Sequence, residues 1–273
     1  MQKDSVVLPQ RRQLLLTAAL LPMVAGLSAC GSLVRAPVPG GLQVRDLGDM
    51  LHNWSEILRE QVDEEGRVNF AAVAAKPEQL HRIVRFIESE SPQSHPQRYA
   101  SRDLQLVYHL NAYNALCMNA VIAAGIPYEL NLLGRLTFFK LNDVIIGGRR
   151  MSLYDYENRI IRALGEPRIH FALNCMSVGC PRLPRQPFAL ETLNTQLETE
   201  ARRFFSESRN LRVDHAAQTV FYSEILKFYT DDFLAVANSL ADYASRYVDK
   251  PVPAAYATKF TPYDWKINRW PGT

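Results

Sequence analysis

Apolar residues recur three or four positions apart along several stretches of the chain, a spacing that predicts amphipathic helices. The first covers 46–61, where Leu47, Met50, Leu51, Trp54, Ile57 and Leu58 form one stripe. A second is expected over 77–88. The third, 101–124, has Ser101 placed to cap it, Asp103 in its first turn, and Gly125 and Pro127 after its end. Its apolar positions surround more than half of the cylinder, which predicts a central helix. Then the period changes. Val144-Ile145-Ile146, Gly147-Gly148 and Arg149-Arg150-Met151 read as a hairpin. Ser152 opens a further helix, with Asp155 at its third position in a capping-box arrangement. A short strand over 169–173, a helix over 190–205, a second hairpin from 211–213 and 219–222, and a last helix over 233–247 complete the pattern. Helices outweigh strands, and hairpins imply antiparallel pairing. The expected class is α+β: one helix-rich domain packed on a small antiparallel sheet.

The start of the chain follows a different rule. Arg11 and Arg12 precede an apolar run over 14–27, broken only by Thr17, Pro22 and Gly26. The run is shorter than the ~20 apolar residues that span a bilayer, so residues 1–29 are expected to be a signal peptide. Leu27-Ser28-Ala29-Cys30 resembles the lipobox of bacterial lipoproteins. That resemblance implies acylation of Cys30, palmitate included, and anchoring to a membrane at the periplasmic face of the cell envelope. Arg11-Arg12 before Gln13-Leu14-Leu15 also resembles a twin-arginine signal, so both export routes stay open. Gly31 stands where an aspartate often marks retention in the inner membrane, which by resemblance favours the outer one. Pro37, Pro39, Gly40 and Gly41 make 30–45 the lipidated start and flexible tether of a domain over 46–273.

Charge and cysteines narrow the partners. The formal net charge is +3, of which the leader carries +2 through Lys3, Asp4, Arg11 and Arg12, leaving +1. A near-neutral chain without a basic block is not built for nucleic acid. The expected partners are the membrane, through the lipid, and a small-molecule or envelope-polymer ligand; no cofactor is implied. Beyond Cys30 there are three cysteines, Cys117, Cys175 and Cys180. Cys175 and Cys180 are close enough in sequence to form a disulfide in an oxidising compartment. Cys117 falls in an apolar helical pattern, as a buried thiol would.

Two segments carry candidate chemistry. Asn111 and Asn114 face the same way in the central helix; amides there must either bond nearby loop backbone or contact a substrate. In Arg168-Ile169-His170-Phe171-Ala172-Leu173-Asn174-Cys175, strand alternation puts Ile169, Phe171 and Leu173 on one face and His170, Ala172 and Asn174 on the other. The tight loop through Gly179 and Pro181 offers amides to an anion or a carbonyl oxygen. Glu157 interrupts an apolar helical stripe and needs a partner, with His170 or Arg168 nearest in sequence. A Glu157–His170 pair would raise the imidazole above its free pKa of ~6.5. A metal site from His170, Cys175 and Cys180 matches no zinc spacing and lacks a fourth ligand.

These segments also resemble the family known as domain of unknown function 547. Its hallmarks appear as Gly66-Arg67-Val68-Asn69-Phe70, Asn111-Ala112-Tyr113-Asn114-Ala115, Ser152-Leu153 through Glu157, His170 through Cys175, Gly179-Cys180-Pro181, and Tyr263-Asp264-Trp265 with Asn268. The chain departs from the family pattern at Asn158, where a histidine is common, and at His109-Leu110, where Trp-Ile is common. The resemblance implies a fold and a site, and no reaction.

The function expected is that of an exported lipoprotein with a hydrolase-like site: His170, Glu157 and Cys175 catalytic, Asn111, Asn114 and Asn174 holding substrate. A non-catalytic binding or assembly module of the envelope is the alternative. In an extended strand His170 and Cys175 would point to opposite faces, so a dyad requires a bend near Asn174. Acylation at Cys30 has a direct check: Cys30→Ser should leave an unprocessed precursor that takes up no labelled palmitate. Normal processing and labelling of that variant would refute the anchor.

Overall fold

A computed structural model describes residues 32–38, 40, 41 and 43–272; the expected signal peptide and Cys30 lie outside them. Asp46 accepts a hydrogen bond from the Asp49 N–H and starts α1 (Leu47–Gln61). Asn69 caps α2 (Phe70–Ala75) through the Ala72 N–H, and α3 (Glu78–Ser89) follows. Ser101 caps α4 (Arg102–Ala123) through the Leu104 N–H. Every residue of α4 from Leu106 to Val121 is buried, so it is the central helix. A short α5 (Leu132–Leu136) runs into one π-helical turn, Thr137–Leu141. Next come β1 (Asp143–Ile146) and β2 (Arg149–Ser152), paired from Asp143↔Ser152 to Ile146↔Arg149. Gly147 and Gly148 turn this hairpin at φ 54° and 78°, the left-handed region that a two-residue connection requires. A Cβ on Gly147 would also lie 2.1 Å from Ser91 Oγ.

Ser152 caps α6 (Leu153–Tyr156) through the Asp155 N–H, 3.0 Å away. The helix then widens into a π turn over Glu157–Ile161 and tightens into a 3-10 turn, Arg162–Leu164. Such turns are frequent at functional sites, and here the first residue of the turn is Glu157. α7 (Leu193–Ser206) leads to β3 (Leu211–Asp214) and β4 (Thr219–Ser223), the second expected hairpin. α8 (Glu224–Phe228), α9 (Thr230–Leu234) and α10 (Leu240–Ser245) precede β5 (Ala257–Thr261). The α+β class holds, with sheets of two and three strands.

Four expectations change. β5 pairs parallel with β4, so the larger sheet is mixed. Parallel pairing needs a long crossover, which turn residues do not announce. The single helix expected over 233–247 is two short ones, broken where Ser239 caps α10 through the Asp242 N–H. Part of the expected tether is docked: Val34 N–H donates to Asp143 O, Asp143 N–H donates to Ser32 O, and Ala36 is buried. The strand expected over 169–173 is a 3-10 helix, Pro167–Phe171. Pro167 suits a first helical turn, and Glu166 accepts from the Arg168 N–H to start it.

That last difference decides where the site forms. Two apolar clusters fill the domain, one around α4 and one around Phe204, Phe205, Tyr222, Phe233 and Tyr243. In the 3-10 geometry Ile169 and Leu173 enter the first cluster while Phe171 enters the second. Residues 167–175 are thus the seam between them.

The seam is tied to α4 by amides. Asn114 Nδ2 donates to Ala172 O at 3.0 Å, and its Oδ1 accepts from Asn174 N–H at 2.8 Å. Asn174 Nδ2 donates to Pro181 O (2.7 Å), and Oδ1 accepts from Met176 N–H (2.7 Å). Asn111 treats Phe188 likewise, at 2.9 Å to its O and 3.1 Å from its N–H. Each amide replaces a strand neighbour that these loop backbones lack. All three asparagines are therefore held by backbone, the outcome that the sequence left open beside substrate contact for Asn111 and Asn114. Asn114→Ala would leave Ala172 O and Asn174 N–H buried without partners. It should cost about 2–4 kcal/mol of stability, read from a denaturant midpoint; a loss below ~0.5 kcal/mol would mean the clasp is not what holds the loop.

Candidate functional site

The loop after the seam is built to bring two sulfurs together. Met176 is fully buried with φ 69°, a left-handed conformation that costs a non-glycine residue ~1 kcal/mol. Its N–H is held by Asn174 Oδ1, and its carbonyl accepts from Asn268 N–H at 2.8 Å. The reversal places Cys175 Sγ 3.0 Å from Cys180 Sγ. Both are free thiols in this structure, as is Cys117, and the pair expected to form a disulfide lies in direct contact. Cys175 Sγ also lies 3.4 Å from Ser177 Oγ and 3.3 Å from Tyr263 Oη. Tyr263 reaches the sulfurs because residue 179 is glycine: a Cβ there would sit 2.8 Å from the Tyr263 ring.

These neighbours act on the thiols oppositely. The hydrogen bond from Cys180, joined by Ser177 and Tyr263, lowers Cys175 to about 7 despite its burial. Burial and the Cys175 charge push Cys180 up. Cys175 is the thiol that ionises. The loop amides expected to face an anion are otherwise engaged. Val178 and Gly179 N–H donate to Lys266 O and Asp264 O, and Cys180 N–H to Ser177 O. Cys175 N–H donates to Cys180 Sγ.

His170 does not pair with Glu157. Its Nε2 is 2.7 Å from Asp232 Oδ2, and Arg162 grips the same carboxylate with Nε and Nη2, each at 2.7 Å. Burial lowers the His170 pKa more than Asp232 and Glu157 raise it, which reverses the direction expected from an ion pair with Glu157. Burial would raise Asp232, yet His170 and Arg162 hold it well below the usual carboxylate range. The two shifts agree once the charges are assigned: Arg162⁺ balances Asp232⁻, and the imidazole stays neutral. As a neutral ring it donates Nε2–H to Asp232, leaving Nδ1 as its basic nitrogen.

Glu157 is held from two sides by phenols. Tyr113 Oη donates at 2.7 Å, and Tyr229 Oη makes a short hydrogen bond to the other carboxylate oxygen. The Tyr229 ring also stacks on His170, centroids 3.8 Å apart and planes at 15°. One tyrosine thus joins the carboxylate to the imidazole without an ion pair. Arg168, the other partner expected for Glu157, instead binds Glu166 at 2.8 Å.

Cys175, Cys180, His170 and Glu157 line one cavity of about 70 Å³, with Tyr113, Tyr229 and Tyr263 among its walls. That is room for a few waters or a small reacting group. The 3-10 turn removes the opposite-faces obstacle. Three members escaped the sequence reading. Asp232 follows Asp231 at a helix start, where acidic residues are ordinary. Tyr229 had no signal of its own. Tyr263 belongs to the Tyr263-Asp264-Trp265 hallmark, where nothing local marks it as a neighbour of the thiols. No group of three or more His, Cys, Asp or Glu that could hold a metal occurs among the described residues.

A mixed α+β domain with a paired-thiol cavity at the seam of two cores is the class these features define. Residues 97–205 match the family model described as protein of unknown function, DUF547. The resemblance is thus found over the stretch that holds α4, Glu157, His170 and both thiols. Tyr229, Asp232 and Tyr263 lie beyond the match. No curated protein and no solved structure matches the chain. At the two departures, His109 is buried with Nδ1 2.7 Å from Tyr156 Oη, its pKa pushed by burial to about 3. Asn158 accepts from Arg162 Nη1 at 2.6 Å.

Thiolate formation at Cys175 is directly measurable. The rate of iodoacetamide labelling at Cys175 should rise through a midpoint near pH 7, below the ~8.5 of a free thiol. Cys180→Ala removes the largest stabilising hydrogen bond and should move that midpoint upward. A wild-type midpoint above 8.5, or no shift in the variant, would contradict the assignment.

Proposed function

We propose that this chain is an envelope lipoprotein, exported by its leader and anchored through Cys30, whose site performs thiol-dependent acyl transfer or hydrolysis. One observation carries the catalytic half: an acidified Cys175 thiol and the Asp232-held imidazole of His170 line the same cavity. A nucleophile, a base and a group orienting that base are what such chemistry needs.

In this reading Cys175 Sγ attacks a substrate carbonyl carbon, forming the S–C bond while its proton passes to His170 Nδ1. The carbonyl electron pair moves to oxygen, and the Tyr263 hydroxyl beside the sulfur is the available donor to that oxyanion. Collapse breaks the bond to the leaving group, which takes the proton from His170. Water then gives a proton to Nδ1 and attacks the thioester, releasing the acid and restoring Cys175. Glu157 fixes Tyr229, and Tyr229 fixes the plane of the imidazole. Glu157 is then a positioning residue.

The contact between the two sulfurs favours a second reading. Oxidation to a disulfide in the periplasm would remove the nucleophile and leave a binding recess, the role of a non-catalytic envelope module. Intact-mass spectrometry after incubation with a short-chain thioester separates the two. Acyl transfer requires an adduct on Cys175, absent in Cys175→Ala, and a turnover loss of ~10²–10⁴-fold in His170→Ala. Wild-type turnover in Cys175→Ala, or a non-reduced protein that resists alkylation at both thiols, would end the catalytic reading.

A further inference from the structure

Outside the thiol cavity lies a wider groove of about 490 Å³. Phe139, Glu157, Phe228, Tyr229 and Trp265 border both spaces, so the groove and the cavity share a wall. Its rim is apolar and exposed: Leu132, Leu136 and Phe228 are 77%, 44% and 46% accessible. Scattered apolar residues on a surface need no explanation, but a cluster lining one concave space does.

Cations stand among these apolar groups. The Arg135 guanidinium lies 4.7 Å from the Trp265 ring centre, and the Lys140 ammonium 4.5 Å from that of Tyr154. Among the described residues neither has a carboxylate within ion-pair distance, whereas Arg162, the third cation of the groove, is matched by Asp232. Arg135 Nε is buried with no hydrogen-bond partner. A desolvated N–H without an acceptor is unfavourable, and no carboxylate among the described residues compensates the charge of this guanidinium. Glu157 is the one carboxylate lining the groove, and both its oxygens already accept from tyrosines. The groove therefore has surplus positive charge, a donor in want of an acceptor, and an apolar lining.

We infer that this groove binds an anionic head group carried on an apolar arm, with the carboxylate or phosphate at Arg135 and Lys140 and the arm along Leu132, Leu136 and Phe228. If the acyl-transfer reading holds, this is the recognition half of the substrate, whose reacting carbonyl enters the cavity. Binding itself does not depend on that reading.

Trp265 lies under Arg135 and reports occupancy through its emission. The full-length chain in nonionic detergent is titrated with hexanoate, hexyl phosphate, hexanol, hexyltrimethylammonium and inorganic phosphate. Hexanoate and hexyl phosphate should quench saturably, with hexanol, the cation and free phosphate each at least about tenfold weaker. Arg135→Gln and Lys140→Gln should each weaken hexanoate about tenfold and leave hexanol unchanged. Lys140 is exposed, so its variant keeps the test valid if Arg135→Gln fails to fold. Equal binding of hexanol and hexanoate, unaltered hexanoate binding in a folded Lys140→Gln, or adsorption to anionic vesicles with no saturable binding of hexanoate would overturn the site. Hexanoate binding without an acyl adduct on Cys175 would keep the groove and sink the acyl-transfer reading; an adduct without hexanoate binding would do the reverse.

Discussion

A helix buried on all sides can carry polar side chains only where each finds a partner, and α4 turns that constraint into architecture. Asn111 and Asn114 project from it as substitutes for peptide groups, each offering one donor and one acceptor to a backbone segment that belongs to no sheet. The segment over 172–175 is thereby fixed against the rigid centre of the domain. Asn174 repeats the device one step outward, holding both ends of the loop that contains Met176. The strained turn there, the contact of Cys175 with Cys180 and the approach of Tyr263 all depend on this anchoring. Removing the amides would free the segment that carries Cys175 and so part the two sulfurs.

The electrostatics of the site follow from a division of charge. One carboxylate, Asp232, is neutralised by a bidentate arginine and orients a neutral imidazole. The other, Glu157, is satisfied by phenols alone. Pairing Glu157 directly with His170 would have produced a buried imidazolium, a poor base. Keeping them apart, with the Tyr229 ring stacked between the two functions, leaves His170 able to accept a proton. The lowered Cys175 pKa arises from neutral donors at short range, so the cavity needs no fixed cation beside the sulfur. Positive charge is displaced instead to the outer groove, where Arg135 and Lys140 rest on aromatic rings.

Much of this was legible in the residues. Apolar spacing and caps located α1, α3 and α4 within a residue or two, because each buries a stripe whose period is set by its own backbone. The Gly147-Gly148 hairpin was equally plain, since φ above zero at two successive positions leaves few other options. The Asn, Glu, His and Cys positions of the site stood out because polar groups inside apolar patterns are rare. Local pattern could not say which of them meet. Alternation of apolar residues over 169–173 suits a strand or a 3-10 turn threaded between two cores; Pro167 and Glu166 start the turn locally, and the second core, formed by distant residues, gives Phe171 the place to bury that completes it. The partner of His170 lies 62 positions away, Tyr229 binds Glu157 across 72, and β5 reaches β4 by a crossover of three helices. Pairings of that kind depend on which surfaces are left to bury once the helices have packed, and nothing within a turn's length of either partner encodes them.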